Sequence, residues 1–125
     1  MMNKNAIVFG VTGQDGSYLS ELLLDKGYSV VGVYRRSSVN TQTRISHLSS
    51  NSNFSLVCGD IADSGSVGSI IRKYQPDECY NLAAQSHVGV SFEQPELTFR
   101  ITAIGTLNIL EAIRHFSPST RFYQA

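Results

Sequence analysis

Two patterns alternate along this chain. Short apolar runs at 6–9, 29–34, 54–58, 78–82 and 120–124 have the β-rich character of strands, and stretches whose apolar residues recur every three or four positions lie between them. After the first run, Tyr18, Leu19, Leu22 and Leu23 mark one face of a helix over 17–26, and Gly27 stands where a carboxyl-terminal cap belongs. After the second, residues 37–43 are polar and read as a surface loop leading into a short helical piece through Ile45 and Leu48. After the third, Asp63 or Ser64 caps a helix with Val67, Ile70, Ile71 and Tyr74 on one face, and Pro76 stops it. After the fourth, Pro95 suits the first turn of a long helix. In it Leu97, Ile101, Ile104, Leu107, Leu110 and Ile113 sustain the spacing for about five turns, until Pro118 and Ser119 break it.

Strand alternating with helix implies parallel pairing through right-handed crossovers. The predicted fold is α/β: a Rossmann-like, doubly wound parallel sheet in strand order 3-2-1-4-5, making one dinucleotide-binding domain of residues 1–125. No internal repeat or low-complexity linker interrupts it. Such a sheet takes its ligand at the carboxyl ends of the strands where the order reverses, here strands one, two and four. Strand five would be an apolar edge without an outer neighbour. The expectation is the front portion of a longer protein, truncated after strand five, and an isolated chain that is poorly stable or self-associating.

At the reversal point the first strand breaks at three glycines spaced three apart, Gly10, Gly13 and Gly16. Gly10 can turn sharply out of a strand, Gly13 lets backbone approach a pyrophosphate, and Gly16 lets the next helix lie close to the sheet; each role wants a missing Cβ. A helix opening at about Asp15 or Gly16 would aim its unpaired N–H groups and the positive end of its dipole at the phosphates. A strand-to-helix turn can collect glycines for its own geometry. Here, however, a strand precedes them, a helix follows, and a second strand ends in charged residues about twenty positions on, as a dinucleotide fingerprint requires.

Those charged residues are Arg35 and Arg36. A carboxylate at this place accepts the ribose 2′-OH of NAD, whereas a guanidinium fork matches the 2′-phosphate of NADP. NADP is the expected cofactor, with Ser37 and Ser38 adding hydroxyl donors; the alternative is a pair of arginines merely solvated at a strand end. Asp60, after strand three, suits either an acceptor for the adenine amino group or a turn cap. Ala83 and Ala84 keep the turn after strand four small, either for a cofactor ribose or nicotinamide against the backbone or for tight packing, and Gln85 and Ser86 put polar groups at the rim. The long helix is by default a core helix, but its apolar stripe is wide enough to leave a surplus face for pairing with a second copy about a two-fold axis.

Composition narrows the partners. With 42% hydrophobic and 16% charged residues in 125, the chain suits one soluble globular domain. Ten basic side chains balance ten acidic ones and no run of like charge stands out, so neither nucleic acid nor an anionic membrane is an expected partner. The first apolar run is far short of the roughly 18 residues of a membrane span and leads into Gln14 and Asp15 rather than a cleavage site, which predicts a cytoplasmic protein. Cys58 and Cys79 fall in strand runs and read as buried structural thiols. In the predicted order two strands separate theirs, roughly 14 Å at about 4.8 Å per strand, too far for a disulfide. Neither cysteine, nor His47, His87 or His115, shows metal-ligand spacing. None of the six tyrosines has a lysine four residues later, and no nucleophile, general base or paired carboxylates assemble, so no catalytic residue is assigned.

The motifs GVTGQDGSY at 10–18, RRSS at 35–38, Gly59-Asp60, NLAAQSHV at 81–88, GTL at 105–107 and RFYQA at 121–125 carry a resemblance over the whole length to the extended short-chain dehydrogenase/reductases. Within them the chain most resembles the amino-terminal portion of the GDP-mannose 4,6-dehydratase family. The glycine pattern alone marks only the wider group; GQDGSY, RRSS and NLAAQSHV together are more specific. The resemblance implies NADP contacts from Gly10, Val11, Thr12, Gly13, Gln14 and Asp15, from Arg35, Arg36, Ser37 and Ser38, from Asp60 and Ile61, and from Leu82, Ala83, Ala84, Gln85 and Ser86. It implies an internal redox cycle on GDP-mannose, in which hydride leaves C4 for NADP⁺, water is lost across C5 and C6, and the hydride returns to C6. The product is GDP-4-keto-6-deoxymannose. In that family a Ser/Thr, a Glu and a Tyr-x-x-x-Lys pair perform the acid and base steps, the first just after a Tyr-Gln-Ala segment. This chain ends at Ala125, so as given it is expected to bind cofactor without turnover. The resemblance also implies that the loop after Arg36 reaches a neighbouring subunit near its cofactor, in homodimers or in homotetramers built from helix-paired dimers. One departure is Leu97, which stands where many relatives carry a cofactor-proximal tyrosine. The alternatives are another nucleotide-sugar enzyme of the same family, a reductase or an epimerase, and a non-catalytic dinucleotide-binding module.

Overall fold

Each apolar run becomes a strand: β1 (Asn5–Phe9), β2 (Ser29–Tyr34), β3 (Phe54–Cys58), β4 (Glu78–Asn81) and β5 (Arg121–Gln124). They form one parallel sheet in the order β3-β2-β1-β4-β5, as predicted. The computed structural model describes residues 3–36, 42–83 and 92–125. Central β1 is covered on both sides, so its interior run Ala6–Phe9 is apolar throughout, and polar Asn5 stands at its half-buried start. Ile7 and Phe9 face one cluster and Ala6 and Val8 the other, none more than 1% exposed. The register sets Phe9 beside both Val33 and Asn81, and Tyr34 beside Cys58, so four strands finish nearly level at their carboxyl ends.

Helix α1 (Gln14–Asp25) and a 3-10 turn (Thr43–Leu48) cover the Ala6/Val8 face through Leu23, Ile45 and Leu48. The opposite face takes α2 (Ser64–Tyr74) through Val67, Ile70 and Ile71. Beside it lies the end of a long helix made of three consecutive pieces: α3 (Pro95–Phe99), a π-helical segment (Arg100–Ile104) and α4 (Gly105–Phe116). Ile109, Ala112 and Ile113 bury its inner side.

Three helical details depart from expectation. In α1 the buried face is Gly16, Ser17, Ser20 and Leu23, while Tyr18 and Leu22 are 62% and 52% exposed. The helix lies too close to the sheet for large side chains, so the small residues turn inward. In α2, termination falls to Gln75, which adopts the left-handed conformation at φ 44° before Pro76 is reached. Its side-chain amide donates to the carbonyls of Arg72 (3.1 Å) and Phe116 (2.6 Å), offsetting that strain. In the long helix the core-facing positions Ile101, Gly105, Ile109 and Ile113 advance in steps of four, slower than an ideal helix turns. A wide turn closed by the Gly105 N–H on the Arg100 carbonyl absorbs the drift. Leu107 and Leu110, on the side away from Gly105 and Ile109, are left 54% and 43% exposed, and Phe99 is exposed as well; these are the surplus apolar positions.

The cysteines also separate. Cys79 on β4 is fully buried, as expected, and burial pushes its thiol up to about 12. Cys58 is exposed, contrary to expectation, because β3 is the sheet's edge strand and its last residue projects past the helices. Iodoacetamide at about pH 8 should therefore modify Cys58 in the native protein and Cys79 only after denaturation. Rapid native modification of Cys79, read by mass spectrometry, would contradict its place inside the sheet.

Candidate functional site

At the carboxyl end of β1 the chain reverses through residues 10–13 into α1. Gly10 has φ +80°, and a Cβ there would lie 2.7 Å from both the Ala83 nitrogen and the Leu82 carbonyl carbon. A Cβ at Gly16 would lie 2.4 Å from the Gly10 oxygen. These obstacles are backbone, which no side-chain rotation can move, so the turn and the end of β4 exclude any larger residue at both positions. Gly13 is different: its nearest obstacle is the Gly10 oxygen at 3.4 Å. The protein itself does not forbid a side chain there, and the missing Cβ leaves room on the outer side. Gly13 caps α1 without a side-chain hydrogen bond, so the first-turn N–H groups, at Gln14, Asp15 and Gly16, face that open side with no side-chain acceptor.

The rest of the crevice is backbone brought level by the sheet. The N–H groups of Gly10 and Val11 donate to the Val33 carbonyl at 3.1 and 3.4 Å, joining the turn to β2. Val11 is wholly buried, main chain included, and half-buried Thr12 is the residue beside it that reaches the surface. Arg35 and Arg36, just past β2, are both exposed, and among the described residues neither has an ion-pair or hydrogen-bond partner. Beyond β3, an Asp60 carboxylate oxygen accepts from the Ala62 N–H at 2.9 Å, which realises the turn-cap reading, and among the described residues the second oxygen has no hydrogen-bond partner. Ile61 is buried against Gly105 and can offer a ligand only its main chain. Leu82 and Ala83 follow β4 half-buried, with the Leu82 N–H on the Phe9 carbonyl at 2.9 Å. Ser37, Ser38, Ala84, Gln85 and Ser86 lie outside the described residues.

Three residues that shape the crevice were missed in the sequence. Gly32 in β2 makes room for Val11, whose methyl would lie 2.7 Å from a Cβ there. Asn81, 1% exposed at the end of β4, donates to the Gln124 side-chain oxygen at 2.8 Å and accepts from the Ala83 N–H at 3.1 Å, fixing the turn where β4 leaves the sheet. Asn108 of α4 donates to the Ile61 carbonyl at 2.8 Å and fixes the turn after β3. A lone asparagine inside an apolar run was a usable signal for Asn81. Nothing local marks Asn108.

Acid–base chemistry is not concentrated here. The shifted tyrosines lie away from the crevice: Tyr28 and Tyr80 donate to the two oxygens of Glu78 at 3.0 and 2.7 Å. Both phenols are held above their ordinary range, Tyr28 chiefly by its bond to Glu78 and Tyr80 chiefly by burial. A catalytic tyrosine needs the opposite shift. Among the described residues no cluster of three or more His, Cys, Asp or Glu could hold a metal. What the crevice can do is bind: it offers free N–H groups, cations and a backbone wall.

Comparison with known proteins narrows the ancestry of this arrangement. The GDP-mannose 4,6-dehydratase of Vibrio cholerae serotype O1 is 52% identical over 132 residues, covering 100% of this chain and 35% of that protein. The Homo sapiens GDP-mannose 4,6 dehydratase is 46% identical over 128 residues, covering 96% and 34%. The chain thus spans about a third of the length of the curated relatives it matches. Among solved structures, the Bordetella bronchiseptica enzyme WbmH in complex with NAD+ superposes with a TM-score of 0.77 at 29% identity, over 97% of this chain and 38% of that one. The family model for GDP-mannose 4,6 dehydratase matches residues 7–125, nearly the whole sequence, and the chain belongs to that family.

Proposed function

We propose that this chain is the cofactor-holding portion of a GDP-mannose 4,6-dehydratase, acting on GDP-mannose with NADP. The observation that carries the reading is the turn at residues 10–16. Backbone contacts exclude a Cβ at Gly10 and Gly16, while Gly13 is bare toward an uncapped helix end, a shape that fits a pyrophosphate. Two arginines at the end of β2, unpaired among the described residues and standing where an NAD enzyme would carry a carboxylate, support NADP over NAD. When bound, a nicotinamide dinucleotide supplies the acceptor and donor for the hydride of the internal redox cycle.

The chain's own residues bind and orient. The α1 N–H groups at Gln14, Asp15 and Gly16 take the pyrophosphate, which approaches over Gly13. Arg35 and Arg36 take the 2′-phosphate, with Ser37 and Ser38 beside them. The free oxygen of Asp60 accepts from the adenine amino group. Thr12 and Ile61 contribute main chain while buried Val11 supports the turn from within, and the backbone at Leu82 and Ala83 walls the inner ribose and the nicotinamide; Ala84, Gln85 and Ser86 are proposed as further contacts. Phe99, Leu107 and Leu110 form the stripe through which two copies pair, giving a homodimer or a homotetramer of such dimers. We place the protein in the cytoplasm, without nucleic-acid or membrane partners; its formal net charge is zero, and among the described residues no helix is long and apolar enough to cross a membrane.

Fluorescence titration should show NADPH binding tighter than NADH. Arg35→Asp should weaken NADPH roughly 10- to 100-fold, since a hydrogen bond to a charged group is worth about 1.5–3 kcal/mol, and should leave NADH nearly unchanged. Equal losses would remove the NADP assignment, and a folded protein that binds neither dinucleotide would remove the cofactor reading altogether. The two glycines should respond differently. Gly13→Ala should keep its melting temperature and lose dinucleotide, whereas Gly16→Ala should lose both, at about 1–3 kcal/mol of overpacking; matching melts for the two variants would contradict the backbone contact at Gly16. For the helix stripe, Leu107→Glu with Leu110→Glu should reduce the sedimenting mass to that of a smaller assembly. An unchanged mass would place the interface elsewhere.

A further inference from the structure

The connection between β2 and β3 carries a feature that the glycine turn and the paired arginines do not account for. The chain leaves the sheet at Arg35 and Arg36 and returns as the 3-10 turn Thr43–Leu48, which lies alongside α1. That turn is firmly held. Ile45 and Leu48 are buried in the core beneath it, the Ser17 hydroxyl donates to the Arg44 carbonyl at 2.9 Å, and His47 pairs with Glu21 across the groove. The Arg44 side chain takes little part in the fastening. Among the described residues its guanidinium makes one long hydrogen bond, 3.4 Å to the Thr12 carbonyl in the glycine-rich turn, and has no carboxylate partner.

Its position is informative. In a dinucleotide fold the pyrophosphate sits at the amino end of the first helix and the ribose 2′ position at the end of the second strand, so the adenosine ribose runs between the two. A guanidinium standing over Thr12, on the connection that begins at the end of β2, lies on that path. It is also a cation near the positive end of the α1 dipole, where an unpaired positive charge is unfavourable unless an anion arrives. Asp15 is exposed in the first turn of α1, but among the described residues no hydrogen bond or ion pair joins it to Arg44; Glu21 is engaged by His47.

We propose that Arg44 is a third phosphate-binding cation of this site and that, with Arg35 and Arg36, it reads the adenosine 2′-phosphate; the inference rests on the NADP reading above. The rival role is a clamp, in which Arg44 merely steadies the glycine turn through Thr12. The two differ in what they discriminate. A 2′-phosphate contact acts only on ligands that carry that group, whereas a clamp acts on every dinucleotide alike.

The test compares Kd values of the unsubstituted protein, Arg44→Gln and Arg44→Lys for NADPH, NADH, 2′,5′-ADP and 5′-ADP. Arg44→Gln should weaken NADPH and 2′,5′-ADP about tenfold and change NADH and 5′-ADP by less than about twofold. Arg44→Lys keeps the charge without the fork and should fall between, with an unchanged melt. Uniform weakening of all four ligands by Arg44→Gln would assign the clamp and overturn the proposal, as would no change in any. An unsubstituted protein that binds neither NADPH nor NADH would instead refute the underlying cofactor reading, and this proposal with it.

Discussion

Everything in this fold is arranged around one contact between main chains. The end of β1, the first turn of α1 and the residues after β4 meet at Gly10, close enough that a single methyl group would collide with the Ala83 nitrogen or, at Gly16, with the Gly10 oxygen. Packing against side chains can relax; packing against backbone cannot without moving a strand. The contact therefore sets the distance of α1 from the sheet. That distance selects Gly16, Ser17 and Ser20 as the inward face, and it turns Tyr18 and Leu22 outward although both are large and apolar. It also sets where the helix begins and which way its N–H groups point.

The same geometry carries costs that the isolated fold does not recover. A helix start capped by glycine, with no side-chain acceptor, forgoes roughly a few tenths of a kcal/mol. Arg35, Arg36 and Arg44 stand near one another along the chain with no carboxylate paired to any of them among the described residues. Each feature becomes favourable once an anion occupies the crevice, because the N–H groups gain acceptors and the guanidinium groups gain partners. A ligand that binds only the folded state adds its binding free energy to the stability of that state. The site and the fold's marginal features are thus two sides of one arrangement.

Much of this was legible in the sequence, and the exceptions share a physical cause. The strands, their order and the glycine turn were readable because a doubly covered parallel strand is apolar through most of its length and because three glycines at that spacing have a geometric reason to be there. The placements of Arg35, Arg36 and Asp60 followed from the topology alone. Side-chain direction was less legible. The periodicity of α1 pointed to Tyr18 and Leu22, since hydrophobicity reports what could be buried and not how close two backbones come. Cys58 read as buried because its run is apolar, yet an edge strand has fewer neighbours to cover its last residue. Asn108 and Arg44 were invisible for another reason: each acts on a partner far away in sequence, Ile61 and Thr12 respectively, and neither pairing leaves a mark on the residues around it.

The long helix shows how a small irregularity can assign two jobs to one element. Its inner positions step by four, and the π turn at Arg100–Ile104 lets that slower winding continue without tearing the helix from the sheet. Past the turn, Gly105 sits against Ile61 and Asn108 holds the Ile61 carbonyl, so the helix supports the turn that carries Asp60. Leu107, next to Asn108 in sequence, faces outward with Leu110 and Phe99. Wound ideally at about 100° per residue from Ile101, the inward line would drift from Gly105 toward Asn108 and Ala112, and Leu107 and Leu110 would face outward in either case. The wider turn keeps Gly105, Ile109 and Ile113 in one line toward the core, with Asn108 at its flank and the leucines outside, and one rigid segment joins the two surfaces.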